Sequence, residues 1–319
     1  MATRISAPAV PLGRARAVAT GRTNSAYLYI LPGFIFIGFA TVIGIAYSLY
    51  ISFTNFDGIN HYQHFSWVGL ANYREVLFGT DVHTFAMLIE WTLSFALLST
   101  VLSFAVGLGL ALLLNDRNLR ERSVYRTLLI IPWALPGTIS ILAWNGIFND
   151  DFGYLNKFLQ ELGLAGQPWL SAPTWAKASV LIMNTWLAFP FMMTACLGAL
   201  QSIPDELNEA AVVDGAGALS RFRFVSVPYL RSVTTPLLIG TFAYQFNNFN
   251  VIFLLTSGNP AVSNSDAGGT DILISYTYKL TLQQQRFAVA AAYTVIIFLI
   301  VGTISAIQMK SSRSFAEAK

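Results

Sequence analysis

The chain has 319 residues, of which 55% are apolar and only 11% charged, where an ordinary soluble domain carries about 25% charged residues. That scarcity argues against a soluble globular protein, and a formal charge of +3 from 19 Lys and Arg against 16 Asp and Glu is too small and too scattered for nucleic-acid binding. One cysteine, Cys196, lies in an apolar run, so there is neither a disulfide framework nor a Cys/His cluster with metal-ligand spacing, and no metal or cofactor is expected.

The missing charges are absent from long blocks. In chain order, Leu28–Ile51, Trp91–Leu114, Thr127–Phe148, Ala178–Ile203, Ser232–Ser257 and Phe287–Met309 contain no Asp, Glu, Lys, Arg or His, and each is at least 22 residues long. About 20 helical residues cross the hydrocarbon layer. The expectation is an all-α, polytopic membrane protein with six transmembrane helices over residues 27–310, flanked by tails 1–26 and 311–319. The first block exceeds a signal-peptide core and lacks a small-residue cleavage site, so it reads as a retained anchor.

Cations alternate between loops as this reading requires. Fourteen of the 19 lie in the N-tail (Arg4, Arg14, Arg16, Arg22), the second loop (Arg117, Arg120, Arg122, Arg126), the fourth loop (Arg221, Arg223, Arg231) and the C-tail (Lys310, Arg313, Lys319). Arg74, Lys157, Lys177, Lys279 and Arg286 fall in the others. By the positive-inside rule both termini are expected to be cytoplasmic, in a multi-pass protein of the cell membrane. The far-side loops hold Trp67, Trp169 and Trp175, which suit the interface. They also hold His61, His64 and His83, without zinc-site spacing, which read as solvated loop residues. Apolar residues at helical spacing over Tyr154–Leu164 predict a short surface helix.

The blocks contain no ionisable side chain, which argues against an ion-coupled carrier; Glu90 reads as a carboxylate at the mouth of the second helix. No phosphate-binding loop is present either, so energy for active transport would come from another chain. Asn145, Asn184, Thr185, Gln201, Thr241, Gln245, Asn247, Asn248 and Asn250 are neutral polar groups at membrane depth. They read either as interhelical hydrogen bonds or, for the cluster Tyr244–Phe249, as the lining of a path for an uncharged, hydroxyl-rich solute. Pro132, Pro136, Pro190 and Pro236 lie within the blocks, where proline kinks a helix.

The fourth loop, residues 202–228, is the most specific segment. Ser202 reads as a helix cap before Pro204, Asp205 and Glu206; Asp214-Gly215 breaks the helix, and a second short helix is expected to run to Pro228. Physical chemistry alone leaves open a tight turn at the membrane edge or a docking site.

Glu209-Ala-Ala-x-x-Asp-Gly-Ala, followed by Phe222 and Val227-Pro228, resembles the EAA loop of binding-protein-dependent ABC importer permeases. Ile131-Pro-Trp-Ala-Leu-Pro, Asn184-Thr-Trp-Leu-Ala-Phe-Pro, Leu197-Gly-Ala-Leu-Gln-Ser-Ile-Pro, Phe246-Asn-Asn-Phe and Thr270-Asp-Ile-Leu-Ile-Ser-Tyr resemble the MalF-type maltose/maltodextrin permease subunits, over about residues 120–310. The resemblance implies the type I ABC importer permease fold, a subunit that is not an enzyme, and alternating access. It implies as partners a second, MalG-like permease chain, a MalK-like ATPase dimer, an extracytoplasmic sugar-binding protein and a neutral oligosaccharide, with trehalose, another oligosaccharide or glycerol-phosphate as alternative cargo. It places ATPase coupling on Glu209, Ala210, Ala211, Asp214, Gly215 and Ala216. It places sugar binding on Trp133, Gly137, Asn184, Leu187, Ala188, Thr241, Tyr244 and Gln245. Gly137 stands where the enterobacterial subunit has a hydroxyl, and Gln245 where it has a shorter amide. The first outer loop also lacks that subunit's large insertion.

Overall fold

The computed structural model describes residues 23–317 apart from Arg117. The tail arginines Arg4, Arg14, Arg16 and Arg22, together with Arg117 and Lys319, lie outside the described residues, as do the side chains of Lys310 and Arg313. Among the described residues everything regular is helical, save two isolated antiparallel bridges, Thr54 with Trp67 and Ala261 with Gly268. The chain divides into residues 1–47 and 48–319. The first unit, from Thr23 onward, is the leading part of α1 (Thr23–Ser52). Its Phe34, Phe36 and Phe39 are exposed, and a helix apolar on every face is stable in an apolar surrounding, where its backbone bonds itself.

The second unit is built on α3 (Val82–Leu114) and α7 (Pro173–Gln201). Both are long because each runs through a charge-free block without a helix-ending glycine pair. On α3 a buried stripe of Ser99, Ser103, Gly107 and Ala111 recurs every four residues. A Cβ at Gly107 would come within 2.7 Å of Met192 Cβ and Met193 N, so the two helices touch backbone to backbone, the contact small residues permit in membranes. Lys177 lies over the Trp91 ring at 4.6 Å while Gly107 meets Met192, so α3 and α7 run side by side in one direction. Ala111, Met193, Cys196, Leu197 and Leu200 fill the core between them. Within α3, Ser103 Oγ donates to Ser99 O at 2.6 Å and the neighbouring Thr100 Oγ1 to Ala96 O at 2.7 Å.

Among the described residues four helices are long and apolar enough to cross a membrane: Tyr29–Ser52 within α1, α3, α7, and Phe287–Ile307 within α13 (Phe287–Glu317), which continues into the predicted C-tail. The third charge-free block is broken. It forms α4 (Arg122–Ala134) and α5 (Gly137–Ile147), bent by 91°. Pro136 stands at the break, where its ring fixes φ and pushes Leu135 into an extended conformation. The fifth block is broken too, into α10 (Val227–Phe246) and α11 (Phe249–Thr256) at Asn247–Asn248. By length and composition the described residues therefore hold four spans, or five if the bent pair is one, and the expected six is not reached by that measure. Pro190 and Pro236, by contrast, lie inside unbroken helices.

Ser202 does not cap the following helix. It is the C-cap of α7, its hydroxyl donating to Ala199 O at 2.8 Å, and Pro204 precedes α8 (Asp205–Val213) instead. The helix after the turn does not end at Pro228 either. α9 (Ala218–Arg221) passes through a π-turn, Phe222–Ser226, straight into α10. Proline has no N–H to give the carbonyl four residues back, and the wider π-turn absorbs that gap without ending the helix.

At the other end of the bundle lie α2 (Ala71–Phe78), α6 (Tyr154–Glu161), which is the predicted surface helix, and α12 (Leu273–Leu282). Arg286 bridges Glu75 at 3.1 Å and Asp81 at 3.0 Å. Burial opposes the Arg286 charge, but Asp81 and Glu75 outweigh it and hold the guanidinium pKa above its ordinary value. His61 is not merely solvated: its Nδ1 lies 2.7 Å from Asp57 Oδ2. That bond, with backbone N–H groups of residues 59–61, holds the Asp57 carboxyl well below the usual carboxylate range. Glu90 is within α3 rather than at its mouth, near Lys177.

Candidate functional site

Both breaks open onto one cavity of about 1020 Å³. α4 contributes Trp133, α5 Gly137, α7 Asn184, Leu187 and Ala188, and α10 Thr241, Tyr244 and Gln245. These are the eight residues that the sequence resemblance singles out, brought together from four helices. No Lys, Arg, Asp or Glu lines the cavity. Its walls are mostly aliphatic, with the rings of Trp133, Phe191 and Tyr244 and the amides of Asn184, Gln245, Asn248 and Asn250 set among them. Trp133 lies 6.3 Å from Phe191, centroid to centroid, and both Trp133 and Tyr244 present more than half of their surface.

The amides form a short network where α10 gives way to α11. Asn248 Nδ2 donates to Gln245 Oε1 at 2.8 Å and to Asn184 Oδ1 at 3.2 Å. All three residues are buried. Asn184 Nδ2 is left without a partner, and an unsatisfied buried amide costs about 1–3 kcal/mol. Asn145 Nδ2 donates to Leu255 O at 2.6 Å, an interhelical bond that ties α5 to α11, whereas Asn184, Thr241 and Gln245 line the cavity. Asn248, Phe191 and Asn250 also line the cavity. The first and last belong to the Asn-rich segment, and Phe191 follows Asn184 by seven residues, two turns along the same face of α7.

The second group of predicted residues is at the far end of α10. Glu209, Ala210 and Ala211 are on α8, Asp214 is its C-cap, and Gly215 has φ +80°. Ala216 N donates to Ala211 O at 2.8 Å and Gly215 N to Val212 O at 3.0 Å. This is a Schellman ending, which requires the left-handed conformation that glycine adopts freely. No residue of α8 is buried. Val213 is 87% exposed, Leu219 79% and Phe224 70%, an apolar surface of the kind that marks a protein partner. The sequence signal for Val213 and Leu219 is their position on helices of nine and four residues, too short to bury a face.

Comparison with known proteins then decides the family. Residues 103–313 match the model of the binding-protein-dependent transport system inner membrane component. The chain belongs to this family. It is 38% identical over 303 residues to the galactooligosaccharides transport system permease protein GanP of Bacillus subtilis, covering 92% of this chain and 72% of that one. It is 36% identical over 305 residues to the maltodextrin transport system permease protein MalC of Streptococcus pneumoniae, covering 91% and 69%. It is 43% identical over 251 residues to the maltose/maltodextrin transport system permease protein MalF of Escherichia coli, covering 77% of this chain but only 49% of MalF, so it spans about half of that relative. A bacterial ABC transporter involved in the import of the acidic polysaccharide alginate has the same fold, with a TM-score of 0.77 over 92% of this chain and 96% of that one at 23% identity. The permease is accordingly a multi-pass membrane subunit, not itself an enzyme, whose family works with a substrate-binding protein.

Proposed function

We propose that the permease forms half of the translocation path of an ATP-driven, binding-protein-dependent importer of a neutral oligosaccharide, of maltose/maltodextrin type. The observation that carries this reading is the cavity: uncharged, with the rings of Trp133, Phe191 and Tyr244 and four amides set among aliphatic side chains, and with the Asn184 Nδ2 donor unpaired. Sugar rings present apolar faces to aromatics and hydroxyls to amides. An anionic cargo calls for Arg or Lys, and none lines the cavity. The relatives named for maltodextrin and galactooligosaccharides support an oligosaccharide.

A second, MalG-like permease chain closes the open side of the cavity. A MalK-like ATPase dimer takes the surface around Glu209–Ala216, and an extracytoplasmic sugar-binding protein delivers cargo at the opposite end. Both termini and the segment 202–228 face the cytoplasm, as the cation alternation requires. ATP-driven closure of the ATPase moves that segment, and α10, joined to it without a break, carries the motion to Tyr244 and Gln245. The test is the co-purified complex in liposomes with a panel of sugars. The expected result is ATP hydrolysis stimulated by a maltodextrin with its binding protein, and weakened sugar dependence in Asn184→Ala and Gln245→Ala. Flux by this chain alone, without ATP, would overturn the reading.

A further inference from the structure

The segment from Ser257 to Ile272, between α11 and α12, holds Asp271, a buried carboxylate paired with Lys279 of α12. The Asp271 side chain is fully buried and that of Lys279 only 12% exposed, with Nζ 2.6 Å from Asp271 Oδ2. Asp271 also accepts Gly268 N at 2.8 Å and Ser275 Oγ at 2.8 Å. Gly258, at φ +81°, lies against the same carboxylate, and a Cβ there would overlap both Asp271 and Lys279 Nζ. Around this centre the backbone closes on itself. Thr270 N donates to Gly258 O at 3.1 Å, Gly269 N to Pro260 O at 2.6 Å, and Thr270 Oγ1 to Asn259 O at 2.7 Å.

The knot is tied on two sides. Trp91 Nε1 donates to Thr270 O at 3.1 Å, and Leu273 N donates to Thr92 Oγ1 at 3.0 Å, so α3 is one anchor. Thr256, the last residue of α11, bonds Thr270 through their hydroxyls at 2.7 Å. The other end of α11 carries Asn250 and Val251, which line the cavity. The loop that Asp271 organises is therefore bonded, through Thr270 and Thr256, to the helix whose other end lines the cavity.

We propose that Asp271 and Lys279 are positioning residues: their pair fixes α11, and with it one wall of the cavity, to α3 and α12. The two charges contribute unequally. Removing Lys279 strands a fully buried carboxylate, whereas removing Asp271 leaves an ammonium at the rim that reaches water on its flexible stem. Removing both leaves no charge stranded but unties the wall. Chain accumulation and wall position thus respond differently to the same substitutions.

The test uses the full chain in its complex, with Cys196 replaced by Ala and Ile252→Cys as reporter. Ile252 is a fully buried residue of α11, so a maleimide reaches it only when α11 leaves its neighbours. In the otherwise unaltered chain, labelling is slow. In Asp271→Asn, and in Asp271→Asn with Lys279→Met, the labelling rate is expected to rise at least about tenfold, equivalent to about 1.4 kcal/mol less holding α11 in place. The double variant is expected to accumulate in the membrane as the parent does, while Lys279→Met alone accumulates least. Labelling as slow as the parent's in the double variant would overturn the proposal, as would failure of the double variant to accumulate, which would make the pair a folding contribution only. The inference rests on the cavity being the transport path, but labelling is read without cargo or nucleotide, so it fails or stands apart from the cargo assignment.

Discussion

Gly215 and Gly258 share a backbone conformation, φ +80° and +81°, and differ in what surrounds them. A Cβ at Gly215 meets nothing within 4 Å; one at Gly258 meets a buried carboxylate and an ammonium. The contrast extends to the loops they stand in. Residues 202–228 carry Asp205, Glu206, Glu209 and Asp214, all exposed, on helices with no buried residue. Residues 257–286 carry Asp271, Lys279 and Arg286, each paired within the chain. The turn at Gly215 is set by a local Schellman ending, whereas the turn at Gly258 is enclosed by a buried ion pair.

Substitutions at the two ends should separate these roles, and their effects on the chain's own stability are ranked here from largest to smallest. Gly258→Ala adds left-handed strain to an overlap in a closed core, a loss of about 3 kcal/mol or more; the chain should be nearly absent from membranes, read by fluorescence-detected gel filtration. Gly215→Asp adds only the strain of about 1–2 kcal/mol. The chain should insert normally, yet transport should be abolished and the ATPase should dissociate on purification. A Gly215→Asp chain that transports normally would refute the coupling role. Arg286→Gln breaks a partly exposed bridge worth about 0.5–1 kcal/mol, and because salt screens such charges the difference in melting temperature from the parent should shrink in high salt. Val213→Asp should leave the chain's stability within about 0.5 kcal/mol of the parent while reducing ATPase retention several-fold; equal loss of both would mean that Val213 packs within the chain.

Local signals in the sequence reach far into this fold. The charge-free blocks mark α1, α3, α7 and α13 because transfer into lipid depends on composition alone. The Asp214-Gly215 stop is legible because a helix ending is settled within six residues. Ser202 and Pro228 mislead for a related reason: each has a local alternative, capping α7 from its C-terminus or opening a π-turn, and which one forms depends on what the adjoining helix does. The count of spans fails at Pro136 and Asn247–Asn248, where a charge-free block turns aside to line a cavity, since hydropathy does not record direction. The eight cavity residues were placed by resemblance to a family, not by their own periodicity, and it is the fold that brings four helices to one space around them.

By itself the sequence determines that this chain belongs in a membrane and that its long apolar blocks carry no Asp, Glu, Lys, Arg or His. Both follow from residue type and spacing, whereas a coupling role for residues 202–228 is implied only by resemblance to a family. The tertiary structure alone decides which polar groups are spent on packing and which are left free. Asn145 bonds Leu255 while Asn184 keeps an unpaired donor, and Asp271, unremarkable in the sequence, becomes a buried anchor. The reason is physical: desolvation and hydrogen bonding depend on which helices meet, and that is a long-range property.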